Sequence, residues 1–170
     1  MAWTNGEKLE RPWLAHFVDE NFGSSTASWK RLGVDLESYE IAMNPDVETK
    51  KNIIGENSVN VKGYDPQGSV DTYYAYAGDA LFDQLRSIIN NRSTGSALVT
   101  KVCDVFIDKS GTVIEAYQED AVLVPQSLGG DTGAINIPFE LYYKGNREDV
   151  TSRATLNNGV LTIAAASGNG

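Results

Sequence analysis

The sequence predicts a mainly β domain, sandwich-like or barrel-like, with one flanking α-helix. Three observations carry this. Short runs rich in Val, Ile, Thr and Tyr recur along the chain, separated by turns containing Gly, Asn or Pro. Only one stretch, GDALFDQLRSIINNR, places its apolar residues at helical spacing. The 170 residues suffice for one core and would crowd two.

The N-terminal residues 1–28 differ from the rest and read as an arm. Trp3, Trp13, Phe17 and Phe22 punctuate a polar stretch, and GSSTAS at 23–28 reads as a flexible joint. Pro12 suits the first position of a short helix carrying WLAHFVDE. The arm either folds onto its own core or docks on a neighbouring subunit. Burying each large apolar side chain contributes roughly 1.5–3 kcal/mol, so four aromatics could drive association.

Residues 29–166 read as a single β domain. LESYEIAM (36–43) and VETKKNII (47–54) are strands joined by Asn44, Pro45 and Asp46. Two more, at 58–64 and 69–77, flank the turn DPQG at 65–68, where Pro66 fixes φ and Gly68 tolerates positive φ. Together, about 41–64 forms a long hairpin carrying Lys50, Lys51 and Lys62. The helix follows over about 79–91. Leu81, Phe82, Leu85, Ile88 and Ile89 make one apolar stripe, and Asp79 is placed to cap its N-terminus. A helix this short needs a sheet to cover.

After residue 96 the chain returns to β. ALVTKVCDVFI and TVIEAYQEDAVLV flank a hairpin turn, Asp108–Gly111. A glycine-rich loop at 127–134 leads to INIPFELYY, where Pro138 implies an edge or a bulge. Strands at 147–156 and from 160 follow, with NNG between them, and SGNG at 167–170 reads as a flexible tail.

Composition excludes several functions. The formal charge of −9 does not suit a phosphate-binding surface. A single cysteine, Cys103, rules out an intrachain disulfide and Cys-rich zinc sites. No apolar run approaches the ~20 residues of a membrane span, and no signal-peptide core opens the chain. The expectation is a soluble protein folded in a cytosol.

Catalytic chemistry is hard to place. His16 is the only histidine and lies in the aromatic arm, away from the predicted core. Cys103 stands among Val102, Val105 and Ile107 and reads as a small buried hydrophobe. GGDTG lacks the Lys-Ser/Thr and the following helix of a phosphate cradle. Glu115 and Glu119 share a strand face, which is weak evidence for a glycosidase pair. The chain therefore reads as a binding or assembly protein, with no catalytic, cofactor or metal residues expected. Residues 104–149 carry nine acids against three bases, while Lys50, Lys51 and Lys62 lie in the hairpin, a polarity that could let one copy dock on another.

The middle of the chain resembles the tail tube (major tail) proteins of tailed bacteriophages, a family related to the tubes of contractile injection and type VI secretion systems. The resemblance covers roughly 35–110. It rests on the order of EIAM (40–43), the hairpin VETKKNIIGENSVNVKGYDPQ and the passage DTYYAYAGDALFDQLRSIIN. It implies a tail-tube fold, hexameric rings stacked into a hollow tube, and the long hairpin reaching the adjacent ring. It also implies a virion location after assembly in the host cytoplasm. Implied partners are further copies of the chain and tape-measure, tail-terminator and baseplate or tail-tip proteins, with DNA passing through without specific binding.

Within that picture, Trp3, Trp13, Phe17 and Phe22 are expected at subunit contacts, Lys50, Lys51 and Lys62 between rings, and Glu115 and Glu119 in the lumen. The hairpin is expected to order only on stacking. An injection or secretion tube has the same subunit physics. The rival of another class is a monomeric carbohydrate-binding sandwich using Tyr73, Tyr142 or Trp29.

Overall fold

The computed structural model describes residues 3–22 and 25–168. Gly23 and Ser24 of the predicted joint, and Asn169 and Gly170 of the predicted tail, lie outside the described residues.

A tight turn at Arg11–Trp13 leads into β1 (Leu14–Asp19), followed by β2 (Trp29–Leu32), β3 (Ile41–Ala42), β4 (Pro45–Lys51), β5 (Asn57–Tyr64) and β6 (Gln67–Val70). The helix α1 (Ala80–Asn91) precedes two long strands, β7 (Val99–Ile107) and β8 (Val113–Pro125). Then come β9 (Gly129–Gly130), β10 (Ile135–Asn136), β11 (Phe139–Tyr143), β12 (Glu148–Asp149), β13 (Ala154–Asn157) and β14 (Val160–Ile163). The fold is mainly β, a large curled antiparallel half-barrel with one α-helix among the described residues.

The main sheet runs β2-β1-β7-β8-β11-β6-β3, with β12 pairing the earlier part of β8. The pairs β9–β10, β13–β14 and β4–β5 form three two-stranded ribbons. The β7–β8 hairpin closes where the sequence places it, with Gly111 at φ 85° and Asp108 Oδ1 accepting from the amides of Ser110 and Thr112. These bonds to the charged carboxylate, the Ser110 hydroxyl first, hold Asp108 below the usual carboxylate range.

Two cores lie on opposite faces of this sheet. On one face Val18, Val102, Leu123, Phe139 and Leu141 pack with Leu81 and Leu85 of α1. Asp79 caps α1 by accepting from the Leu81 amide, and Arg92 ends it in the left-handed region. On the other face Phe17, Cys103, Val105 and Ala116 pack under Val150, Ala154 and Leu161. The central strands are buried on both sides, as β7 shows from Val102 to Val105.

The structure corrects the expected helix at 13–20. WLAHFVDE instead supplies most of β1, an inner strand between β2 and β7. Its residues from Ala15 to Asp19 are all buried, so Ala15 and Phe17 serve one core while Val18 serves the other. The 1–28 arm and the 29–166 domain therefore share one sheet, with β1 and β2 paired across the expected boundary.

Strand limits also shift. Residues 36–40 are not strand, β6 ends at Val70, and Tyr74 makes only an isolated bridge to Asn136. Pro138 splits the expected strand at 135–143 into β10 and β11. The expected strand at 147–156 is reduced to β12 and the start of β13.

Candidate assembly surfaces

The β4–β5 ribbon lies outside both cores, and its strands pair only with each other. Register sets its two faces. Val47 opposes Val61 and Thr49 opposes Val59, putting three valines on one face. Each is roughly half exposed or more. The opposite face carries Glu48, which pairs with Lys50 at 3.5 Å and Lys62 at 3.4 Å.

The tip closes through Asn52, whose Oδ1 accepts from the Ile54 and Glu56 amides. Its Nδ2 donates to Glu56, and Gly55 sits at φ 87°. The Ile53 and Ile54 side chains, fully and three-quarters exposed, take no part in that closure. A smaller exposed apolar pair, Leu128 and Ile135, flanks the β9–β10 ribbon.

The four aromatics expected to reach a neighbour all pack on this chain's own body. Trp3 donates its Nε1–H to the Ile107 carbonyl and stacks edge-on against Phe106. Phe17 is buried in one core, with Trp13 packed against it, and Phe22 packs against the other.

Glu115 is exposed, but Glu119 is only 4 % exposed. Its carboxylate accepts the Gly145 amide at 2.7 Å and lies 3.8 Å from Arg147. Glu119 is thus buried against its own subunit. The physical reason is a change of buried face along β8: Ala116 serves one core, whereas Glu119, Ala121 and Leu123 point to the other side.

His16 also departs from expectation. It is buried in β1, and its Nδ1 lies 2.7 Å from Asp104 Oδ1 on the neighbouring strand. Tyr143 donates to Asp104 at 3.3 Å, and Arg147 approaches the same carboxylate at 3.8 Å. A His–Asp pair supplies two of the three members of a nucleophilic triad, but no nucleophile meets His16 among the described residues. The remaining ring nitrogen meets Arg11 Nη2 at 3.2 Å, not a hydroxyl or thiol. Cys103 points to the opposite core, its thiol pushed up to about 12 by burial, with the charge of Asp104 adding to the effect.

Among the described residues no group of three or more His, Cys, Asp or Glu could hold a metal ion. No described helix is long and apolar enough to cross a membrane. The surface expected of a carbohydrate binder is dispersed. Tyr73 is buried and its hydroxyl donates to Asp79, Trp29 packs against the second core, and Tyr142 alone is exposed.

The sequence matches no known family model and no curated protein. Solved structures do match. One is a chain from an extracellular contractile injection system, described as the PVC sheath/tube terminator in the extended state. It has 11 % identity and TM-score 0.54, covering 86 % of this chain and 99 % of that one. A second is the tube-terminating cap of the anti-feeding prophage, at 12 % identity and TM-score 0.54, covering 89 % and 95 %. A third comes from the PVC sheath–tube complex in the extended state, at 11 % identity and TM-score 0.53, covering 85 % and 94 %. The chain has the fold of these injection-system components. The likeness spans nearly the whole of each neighbour.

Proposed function

We propose that this chain is a structural, non-enzymatic subunit that forms rings in a tail-tube-type assembly. In this reading it is a phage tail tube subunit, six copies to a ring, with rings stacked into a DNA conduit. It assembles in the host cytoplasm and ends in the virion. The observation that carries the reading is the β4–β5 ribbon, a sheet element with an exposed valine face and an isoleucine tip on a tube-component fold. Exposed apolar surface gathered in one place marks an interaction site, and an open sheet leaves edges for neighbours to cover. Head-to-tail contacts that close by rotation give rings, and stacking of rings gives a tube. A net charge of −9 suits a conduit that must release a polyanion. Tape-measure and tail-tip proteins are the further partners this role requires.

One observation favours a second reading. Two of the similar structures are described as a tube terminator and a tube-terminating cap. A terminator uses one ring face for the tube and does not elongate from the other. Negative-stain electron microscopy across a concentration series separates the outcomes. Hollow tubes of constant bore and unlimited length support the tube subunit, and single rings that add only to preformed tube ends support the terminator. A strict monomer, alone and with tube ends present, would refute both.

A further inference from the structure

The contacts of His16 define its protonation. An arginine guanidinium can only donate, so the His16 Nε2 that faces Arg11 Nη2 at 3.2 Å must present its lone pair. The ring proton then sits on Nδ1 and is donated to Asp104 Oδ1. Arg11 makes two further bonds, from Nη1 to the Leu14 carbonyl at 2.7 Å and from Nη2 to the Tyr39 carbonyl at 3.0 Å. The Tyr39 ring stands edge-on to His16 at 4.6 Å. Arg11 therefore clamps the end of the irregular segment 33–40, which enters β3 and then the β4–β5 ribbon, to the buried histidine.

We propose that this arrangement is an acid-opened latch at the root of the ribbon. A second proton on Nε2 would set two donors and two positive charges face to face. Arg11 must then leave, and the Tyr39 carbonyl loses its clamp. His16 stays in place through Asp104, to which its charged form binds more strongly. The other groups facing the pair do not change charge alongside it. Arg11 and Arg147 remain cationic. Burial raises the Tyr39 and Tyr143 hydroxyls above their ordinary range, and in both the charge of Asp104 adds to the rise. Glu119 is joined to the cluster only through Arg147, and Arg31 and Glu37 line the outer side of the same groove. The latch does not depend on what the chain assembles into.

His16 is the only histidine, so its two ring nitrogens can be read without assignment ambiguity in 15N-histidine-labelled full-length chain. Solution spectra serve for the monomer and magic-angle spinning for any assembled form. At pH 7.5 the Nδ1–H tautomer is expected, and acidification should protonate Nε2. The Tyr39 carbonyl 13C shift should move to its unclamped value with the same midpoint, because the Arg11 bond ends on that oxygen.

His16→Gln can accept from Arg11 and donate to Asp104 without titrating. It should keep the clamped Tyr39 carbonyl shift at every pH. Arg11→Gln changes an exposed residue and should leave that shift at its unclamped value at every pH. An Nε2–H tautomer or a charged ring at pH 7.5 would overturn the latch. So would a Tyr39 carbonyl shift that does not follow the ring titration, or a ring that stays neutral until the chain unfolds.

Discussion

The ribbon tip offers the most direct perturbation. Ile53→Asp combined with Ile54→Asp replaces two exposed isoleucines whose side chains make no part of the tip's closure. The tip is held by Asn52, Gly55 and Glu56, so the monomer should keep its stability within about 0.5 kcal/mol, as expected for surface changes away from special features. Assembly should respond differently. If both side chains become buried between subunits, their apolar surface contributes roughly 3–6 kcal/mol to that contact. At about 1.4 kcal/mol per decade this corresponds to a rise of roughly 10²–10⁴ in the concentration needed to assemble.

Sedimentation velocity, paired with electron microscopy, reads that threshold, and urea unfolding reads the monomer. Lys50→Ala is the control. Its ion pair with Glu48 is solvent-exposed and worth at most about 1 kcal/mol, so its threshold should move by less than tenfold. Tubes or rings forming at the wild-type threshold in the double variant would refute the assignment of the ribbon as an interface. A large loss of monomer stability would refute the claim that the tip is free of the core.

Four further outcomes follow from the cores and turns. A Cβ on Gly68 would stand 2.0 Å from the Tyr39 hydroxyl, so Gly68→Ala should cost about 1–3 kcal/mol in urea unfolding. Asp104→Asn weakens the charge-assisted hydrogen bonds from His16 and Tyr143 and should destabilise by roughly 1.5–3 kcal/mol in the same assay, whereas Glu115→Lys, at an exposed position, should be nearly neutral. Cys103 should resist thiol reagents in the native protein and react once urea exposes it. Asp108 is held low in the folded chain, so its contribution is present above the ordinary carboxylate range and lost as pH falls through the lowered value. The stability gap between wild type and Asp108→Ala should therefore close on acidification, as followed by thermal unfolding from pH 7 to pH 2.

Some elements could be read because their signals are local. The helix α1 carried its apolar stripe, its Asp79 cap and its polar face within one short stretch, and Asp108–Gly111 marked the β7–β8 turn. The strand β1 was hidden for the opposite reason. Both its faces are buried, so it lacks the alternation that marks a half-exposed strand, and Pro12 just before it imitates a helix start. His16 and Asp104 lie 88 positions apart, so only the pairing of β1 with β7 brings them together. The burial of Glu119 was not legible because two acids four residues apart look alike on one strand face. The available clue was a change of phase: Ala116 is small on one face, while Ala121 and Leu123 continue on the other.

The distribution of apolar surface explains why such a fold would exist to associate. Among the described residues, seven of the fourteen exposed large hydrophobics, from Met43 to Tyr64, fall on or beside the ribbon. Scattered exposure would need no explanation, but this concentration lies on a two-stranded element with little independent stability in water. Both main cores are completed without it, so valine at positions 47, 59 and 61 adds nothing to them. The charged opposite face, with Glu48 between Lys50 and Lys62, limits the ribbon to one apolar side. A ribbon apolar on both faces would stack on any copy it met, whereas one apolar face and one charged face admit a partner from one direction. Directional addition is what separates a ring or tube from an aggregate, and the register of β4 against β5 gives the ribbon one face suited to it.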